Sequence, residues 1–146
     1  MSSASGHRMH VRVYFEDTDA GGIVYHANYL RFAERARTEA MRAMGVPHND
    51  MVRDCNLMFV VRSVKLDYLR PARLDESLEI VTQPIDLRAA TLTLRQDIRG
   101  EQGSCVIAEI ELACVTLDGT RPARIPSRWR NAFETILAVP PEAERT

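Results

Sequence analysis

The residues with the clearest chemical potential lie in one short segment of the chain. Asp19 stands just before a glycine-rich turn that contains Gly21 and Gly22, and His26 follows seven residues later at the predicted start of a helix. A carboxylate can act as a nucleophile or a general base, and the unpaired N–H groups of a helix N-terminus can polarise a carbonyl oxygen. The spacing therefore indicates a site that attacks a carbonyl group. The plainer alternative is a turn capped by its own carboxylates.

The elements around this segment follow from the periodicity of the apolar residues. Alternation predicts a short strand over residues 10–15. A helix is predicted over residues 29–44, with Asn28 as its N-cap and Gly45 just beyond its end. Arg37 lies on the flank of its apolar side and is interpreted as reaching towards solvent. That side is rich in alanine and consists of Tyr29, Phe32, Ala33, Ala36, Ala40, Ala43 and Met44.

Four more strands are predicted after a short helical turn near residues 49–53. Their period-two alternation covers residues 58–68, 78–82, 91–99 and 106–112. The first two are partly apolar on both faces, which is typical of central or interface strands. One amphipathic helix cannot cover both sides of five strands, so the sheet should curl around it and leave apolar surface for self-association. We therefore predict an α+β protein with a hotdog fold, an antiparallel five-stranded sheet wrapped around one long helix.

Length and composition limit the possible function classes. The 146 residues and 45 % apolar content predict one domain over residues 1–146, with a terminal helix at 127–137 and a disordered tail from about residue 140. A net charge of −1 argues against binding to nucleic acid. The absence of a long apolar run or a signal-peptide pattern predicts a cytoplasmic protein that does not insert into membranes.

The cysteines, histidines and arginines add further expectations. Cys55, Cys105 and Cys114 form no C-x-x-C pair and are predicted to be reduced, buried thiols, the latter two on opposite faces of one strand. His7, His10 and His48 have no partner pattern and are interpreted as surface residues. Lys65 is the only lysine beside eighteen arginines. Arginine suits phosphate groups, as in coenzyme A, with Arg62 and Arg88 as candidates, although codon bias is the plainer explanation.

A long part of the chain resembles a known enzyme family. Residues 11–39, VRVYFEDTDAGGIVYHANYLRFAERARTE, closely resemble the signature of the YbgC-type acyl-CoA thioesterases, relatives of 4-hydroxybenzoyl-CoA thioesterase. The similarity continues through residues 59–80, FVVRSVKLDYLRPARLDESLEI, and more weakly to about residue 126. The resemblance implies hydrolysis of acyl-CoA, with short-chain acyl groups expected, by a homodimer or homotetramer whose sites lie at subunit interfaces.

The resemblance also implies roles for individual residues. The catalytic carboxylate of the family falls on Asp19, as nucleophile or general base, and its histidine falls on His26, near the backbone N–H that polarises the thioester. Some relatives carry a tyrosine where this chain has Phe15, so a hydroxyl contribution there is not expected. The predicted substrate-binding residues are Gly22, Tyr25, Asn28 and Tyr29.

Other functions remain open at this stage. Hotdog folds also host hydratases and dehydratases of acyl thioesters, so fold alone does not decide the reaction. A non-catalytic module that binds acyl-CoA or an acyl carrier protein is a third class, since the family is linked to phospholipid metabolism and to the Tol-Pal envelope system. Asp17, Asp19 and His26 could ligate a metal by residue type, but no second histidine lies at ligand spacing. We therefore expect no metal and no other cofactor.

Overall fold

Residues 6–138 form one antiparallel sheet with three α-helices. A computed structural model describes residues 6–138, so the predicted tail from about residue 140 lies outside the described residues. The elements in chain order are β1 (His7–Arg12), α1 (Asn28–Ala43), α2 (His48–Cys55), β2 (Leu57–Tyr68), β3 (Ser77–Leu87), β4 (Thr91–Gly100), β5 (Gly103–Thr116) and α3 (Ser127–Thr135). The predicted α+β class and the order of one strand, one long helix and four strands are confirmed.

The position of a strand in the sheet determines how far it is exposed to solvent. The strands are arranged β1-β3-β4-β5-β2, and every neighbouring pair is antiparallel. β3 is interior, whereas β2 lies at an edge and is exposed along most of its length. Register shifts interrupt the β2–β5, β3–β4 and β4–β5 pairs. Such bulges bend strands and increase their twist, which lets the sheet curve around a helix.

Helix α1 packs against β1, β3 and β4 of this sheet. Its buried residues are Tyr29, Phe32, Ala33, Ala36 and Ala40, as its apolar pattern predicts, whereas Ala43 is exposed. Inside this packing, the fully buried Gln96 of β4 donates hydrogen bonds to Ala33 O (2.9 Å) and Thr82 Oγ1 (3.0 Å). Arg37 donates to Gln96 Oε1 at 3.1 Å, so it points inward and the predicted solvent-reaching orientation is wrong.

The first strand ends earlier than its apolar alternation predicts. β1 stops at Arg12, and residues Phe15–Asp17 form a 3₁₀ turn. The Asp17 carboxylate accepts a hydrogen bond from Tyr14 N–H at 2.8 Å, and Asp17 N–H donates to Tyr14 O at 3.0 Å. These bonds compete with strand pairing and turn Phe15 away from the core, where its side chain is 81 % exposed.

The two ends of α1 differ from each other. The predicted capping role of Asn28 is wrong, because Ala27 is the N-cap and Asn28 is the first helical residue. The prediction for Gly45 is confirmed. It adopts φ +78° and donates to Arg42 O, and Val46 N–H donates to Met41 O. This pair of bonds is a Schellman motif.

Three other local predictions need correction. β3 runs to Leu87 and contains Pro84 at its bulge, so the strand extends beyond the predicted residues 78–82. Cys105 and Cys114 are free and fully buried as expected, but Cys55 is only partly buried. A bulge opposite Arg99 breaks the alternation of β5, so both buried cysteines lie in the apolar core. His48 is half-buried and accepts a hydrogen bond from the backbone of β2, so it is not a surface residue.

Candidate active site

Asp19 lies in a tight turn whose shape is set by the glycines that follow it. The Asp19 N–H donates to Ile23 O (2.9 Å), and Gly22 N–H donates back to Asp19 O (3.1 Å). Gly22 adopts φ +79°, a conformation that L side chains rarely adopt. Asp19 Oδ1 accepts the Gly21 N–H at 2.8 Å, while Oδ2 has no donor among residues 6–138. The carboxylate is exposed and held by one oxygen, with the other oxygen available to a reactant.

This turn is anchored to the chain segment that precedes β3. Gly22 O accepts a hydrogen bond from Leu74 N–H at 3.1 Å, and Val24 N–H donates to Ala72 O at 2.8 Å. Because both bonds are made by the backbone, the position of the turn does not depend on side chains that a ligand could displace. Gly22 therefore has a structural role here, since it anchors the Asp19 turn through its backbone.

The start of α1 offers hydrogen-bond donors. Asn28 N–H donates to Tyr25 O at 2.8 Å, whereas the N–H groups of His26, Ala27 and Tyr29 have no acceptor within the described part of the chain. All peptide bonds described are trans, so the His26 N–H points opposite to the Tyr25 carbonyl. That carbonyl is directed at the helix, and the His26 N–H is therefore directed away from it.

An open groove of about 330 Å³ lies beside this helix start. Of the six predicted site residues, His26 and Tyr29 line it, while Asp19, Gly22, Tyr25 and Asn28 do not. The remaining lining residues are Ile23, Val24, Tyr68, Leu69, Arg70 and Pro71. The structure thus brings two of the six residues together at the groove and keeps the other four on the same continuous segment.

The predicted binding residues Tyr29, Asn28 and Tyr25 have different surroundings. The Tyr29 hydroxyl accepts Ala72 N–H at 3.0 Å, and burial raises the pKa of this phenol above its ordinary value. The Asn28 side chain donates to Asp17 O at 2.9 Å, so it fastens the helix start to the preceding turn. The Tyr25 ring is exposed and lies 4.5 Å from the exposed His26 ring, measured between centroids.

A known protein family matches most of the chain. The model of the thioesterase-like superfamily matches residues 13–133, a span that includes the Asp19 turn and the groove. The chain belongs to this superfamily.

Individual thioesterases support the assignment. The chain is 38 % identical over 132 residues to the acyl-CoA thioesterase YbgC of Haemophilus influenzae, covering 90 % of this chain and 97 % of the relative. It is 41 % identical over 120 residues to the acyl-CoA thioester hydrolase YbgC of Escherichia coli O6:H1, covering 82 % and 89 %. The crystal structure of a probable thioesterase from Bartonella henselae superposes with a TM-score of 0.78 at 36 % identity, covering 83 % of this chain and 99 % of that chain. The predicted YbgC-type family and hotdog fold are confirmed.

The sequence predictions missed the residues on the other side of the groove. Tyr68, Leu69 and Arg70 come from the end of β2 and the residues after it, and they line the same groove as His26. The Tyr68 hydroxyl donates to His26 O at 3.2 Å. The available signal was the resemblance over residues 59–80, which includes these positions.

The arginine that lines the groove, Arg70, is not one of the two that were predicted to contact coenzyme A. Arg70 donates to Gln102 Oε1 at 3.2 Å, at the border of a polar basin of about 490 Å³ that also contains Arg73. The predicted coenzyme contacts, Arg62 and Arg88, do not line the groove. They pair instead with the carboxylates of neighbouring residues, Glu111 at 3.8 Å and Asp86 at 2.8 Å respectively.

Proposed function

We propose that this protein hydrolyses acyl-CoA thioesters to the free acid and coenzyme A, with short-chain acyl groups as its substrates. The observation that carries the proposal is a carboxylate with a free oxygen, Asp19, on the turn that leads directly into the unpaired N–H groups of a helix start. The groove of about 330 Å³ lies beside the helix start, where it can receive an acyl group. The YbgC relatives are named as acyl-CoA thioesterases, which supports the same reaction.

The helix start supplies the electrophilic half of the reaction. As a nucleophile adds to the thioester carbonyl, negative charge develops on the carbonyl oxygen. The N–H groups of His26 and Ala27 have no internal acceptor, and the N-terminus of α1 carries about half a positive charge. These donors stabilise the developing oxyanion. The imidazole of His26 orients the substrate or water, or transfers a proton to the departing thiolate.

Asp19 supplies the nucleophilic half. As a nucleophile, a carboxylate oxygen bonds to the carbonyl carbon, the C–S bond breaks, and water then hydrolyses the resulting anhydride. As a general base, it takes a proton from water, whose oxygen attacks the same carbon. In both cases the products are the free acid and the thiol of coenzyme A. The Gly21 N–H holds Oδ1 in place, so Oδ2 is the oxygen that reacts.

Self-association completes the site in this proposal. Asp19 and the groove are open to solvent in a single chain, and a weak base needs desolvation to be effective. The edge strand β2 presents the exposed side chains of Val61, Val64 and Tyr68 together with unpaired backbone groups, which are suited to pairing with a second copy. The active form is thus a homodimer, or a homotetramer of two dimers.

Light scattering should report a monomer mass for Val64→Asp and a larger mass for the wild type.

The decisive experiment replaces Asp19 by asparagine. Asn retains an oxygen that accepts the Gly21 N–H, so the turn should persist while the reactive carboxylate is lost. We expect thiol release from short-chain acyl-CoA to fall by about a hundredfold or more, with binding of a non-hydrolysable thioether analogue unchanged. The matched control is Glu16→Gln, which removes an exposed carboxylate three residues away and should keep full activity.

The other outcomes separate the remaining function classes. Undiminished hydrolysis by Asp19→Asn would overturn the assignment of the carboxylate. Interconversion of crotonyl-CoA and 3-hydroxybutyryl-CoA without thiol release would identify a hydratase. Saturable acyl-CoA binding without any turnover would identify a binding module.

An acyl carrier protein as partner, a cytoplasmic location and a link to Tol-Pal stay predictions. Among the described residues, no helix is long and apolar enough to cross a membrane.

A further inference from the structure

The Tyr68 hydroxyl makes an unusual connection between the sheet edge and the helix start. Tyr68 is the last residue of β2 and is about half exposed at 51 %, yet its hydroxyl donates to the backbone carbonyl of His26 at 3.2 Å. The His26 carbonyl has no other recorded donor within residues 6–138. This bond is therefore the one described contact that fixes the direction of that carbonyl.

The ring of Tyr68 is itself held in place. It makes an edge contact with the ring of Tyr29, with centroids 5.9 Å apart and planes at 64°. Tyr29 is buried, and its hydroxyl accepts the Ala72 N–H at 3.0 Å. A fixed buried ring thus supports a half-exposed ring, whose hydroxyl reaches the helix start. Aromatic rings with edge contacts are rigid and lose little conformational freedom when they take up such a position.

We propose that Tyr68 is a positioning residue for thioester hydrolysis, which holds the peptide between His26 and Ala27 in its productive orientation. The inference rests on the proposed function. In a trans peptide the carbonyl and the following N–H point in opposite directions, so holding the His26 oxygen also fixes the Ala27 N–H. A freed carbonyl could turn its negative end towards the reacting oxygen of the substrate, where it would oppose the charge that develops there.

The hydroxyl, and not the ring, carries this role, so Tyr68→Phe is the test. We expect kcat for thiol release to fall about three- to tenfold, the range that one net hydrogen bond supports, while KM stays within about twofold. The matched control is Thr135→Val, which removes an exposed hydroxyl of α3 that also donates to a backbone carbonyl, Ala132 O at 2.6 Å. That variant should retain the wild-type kcat and KM.

A second measurement reports the peptide directly. The carbonyl ¹³C shift of His26 and the amide shifts of Ala27 should change in Tyr68→Phe and remain unchanged in Thr135→Val. Thermal unfolding of both variants should match the wild type, which separates positioning from a loss of stability.

Each result has a distinct meaning. An unchanged kcat in Tyr68→Phe, with an active wild type, would overturn the inference and leave the proposed function standing. A raised KM with unchanged kcat would show that the hydroxyl binds substrate, which also overturns it. Absence of thiol release by the wild type would instead overturn the proposed function.

Discussion

The two ends of helix α1 are built in opposite ways. At the C-terminal end, Gly45 and Val46 return their N–H groups to the last turn, and Trp129 Nε1–H donates to Val46 O at 2.9 Å. At the N-terminal end, the cap residue Ala27 makes no side-chain hydrogen bond, and several N–H groups have no acceptor within residues 6–138. We call the C-terminal end the closed end, because the protein pairs its backbone groups. We call the N-terminal end the open end, because its N–H groups are available to water or to a ligand.

This difference follows from what each end contacts. The C-terminal end leads into the buried Val46, whose carbonyl accepts the indole N–H of Trp129 in α3. An unpaired carbonyl buried there would cost about 1–3 kcal/mol, so the fold must pair it. The N-terminal end faces an open groove, where water satisfies the N–H groups until a ligand replaces it. We therefore expect changes at the C-terminal end to affect stability and changes at the N-terminal end to affect activity.

The largest expected effect comes from removing an aromatic ring at the closed end. Trp129 is 1 % exposed, so Trp129→Ala should lower the free energy of unfolding by about 3–5 kcal/mol through the cavity it leaves. Phe15→Ala is the counterpart near the open end. That ring is 81 % exposed, and its loss should change stability by less than about 0.5 kcal/mol. Trp129 is the only tryptophan of the chain, so its replacement removes the tryptophan fluorescence signal. Urea unfolding of both variants should therefore be followed by circular dichroism. Equal costs would contradict the comparison.

Two glycines offer a sharper test with matched geometry. Gly22 has φ +79° and Gly45 has φ +78°, and a Cβ added at either position would meet nothing within 4 Å. Replacement by alanine should therefore cost only backbone strain, about 1–2 kcal/mol in each case. Gly45→Ala should keep its kcat for thiol release, whereas Gly22→Ala should lose much of it, because Gly22 shapes the Asp19 turn.

Both variants should be assayed well below their unfolding temperatures, so that only folded protein contributes to the rate. The comparison would fail if the two alanine variants lost activity equally, or if Gly45→Ala were the less active one.

The parts of the fold that could be predicted depend on local features. Alternation and helical periodicity are properties of neighbouring residues, and Gly45 ends α1 through bonds within four or five residues of itself. The same local logic failed at Phe15, where the Asp17 carboxylate competes with strand pairing through a bond to Tyr14 N–H. Periodicity takes no account of that competition, because it considers only which side chains are apolar.

The candidate site was predictable on one side only. The continuous segment from Asp19 to Tyr29 carries its own turn, helix start and family signature. The other side of the groove is formed by residues at and just after the end of β2. The bond from Tyr68 to His26 joins residues 42 positions apart. Such a contact depends on the register of the whole sheet, including its bulges, which the alternation of single strands does not determine.

The smallest expected effect concerns the histidine that follows the closed end. His48 Nε2 accepts the Phe59 N–H at 3.0 Å, and the two rings stack with centroids 6.2 Å apart. Burial lowers the pKa of His48 below its usual value of 6.5. The unfolded chain therefore binds a proton at a higher pH than the folded chain does. Stability should fall as the pH decreases from about 6.5 through the lower pKa of the folded state.

His48→Gln tests this dependence, because glutamine supplies an acceptor for the Phe59 N–H and does not titrate. The free energy of unfolding, measured by urea titration between pH 7.5 and about 5, should decrease less steeply for the variant than for the wild type. Some dependence should remain, since burial also lowers the pKa of His7. Because His48 is only half-buried, the difference should be smaller than the glycine effects. Parallel curves would show that its protonation does not weaken the contact of α2 with β2, and that the closed end tolerates a charge beside it.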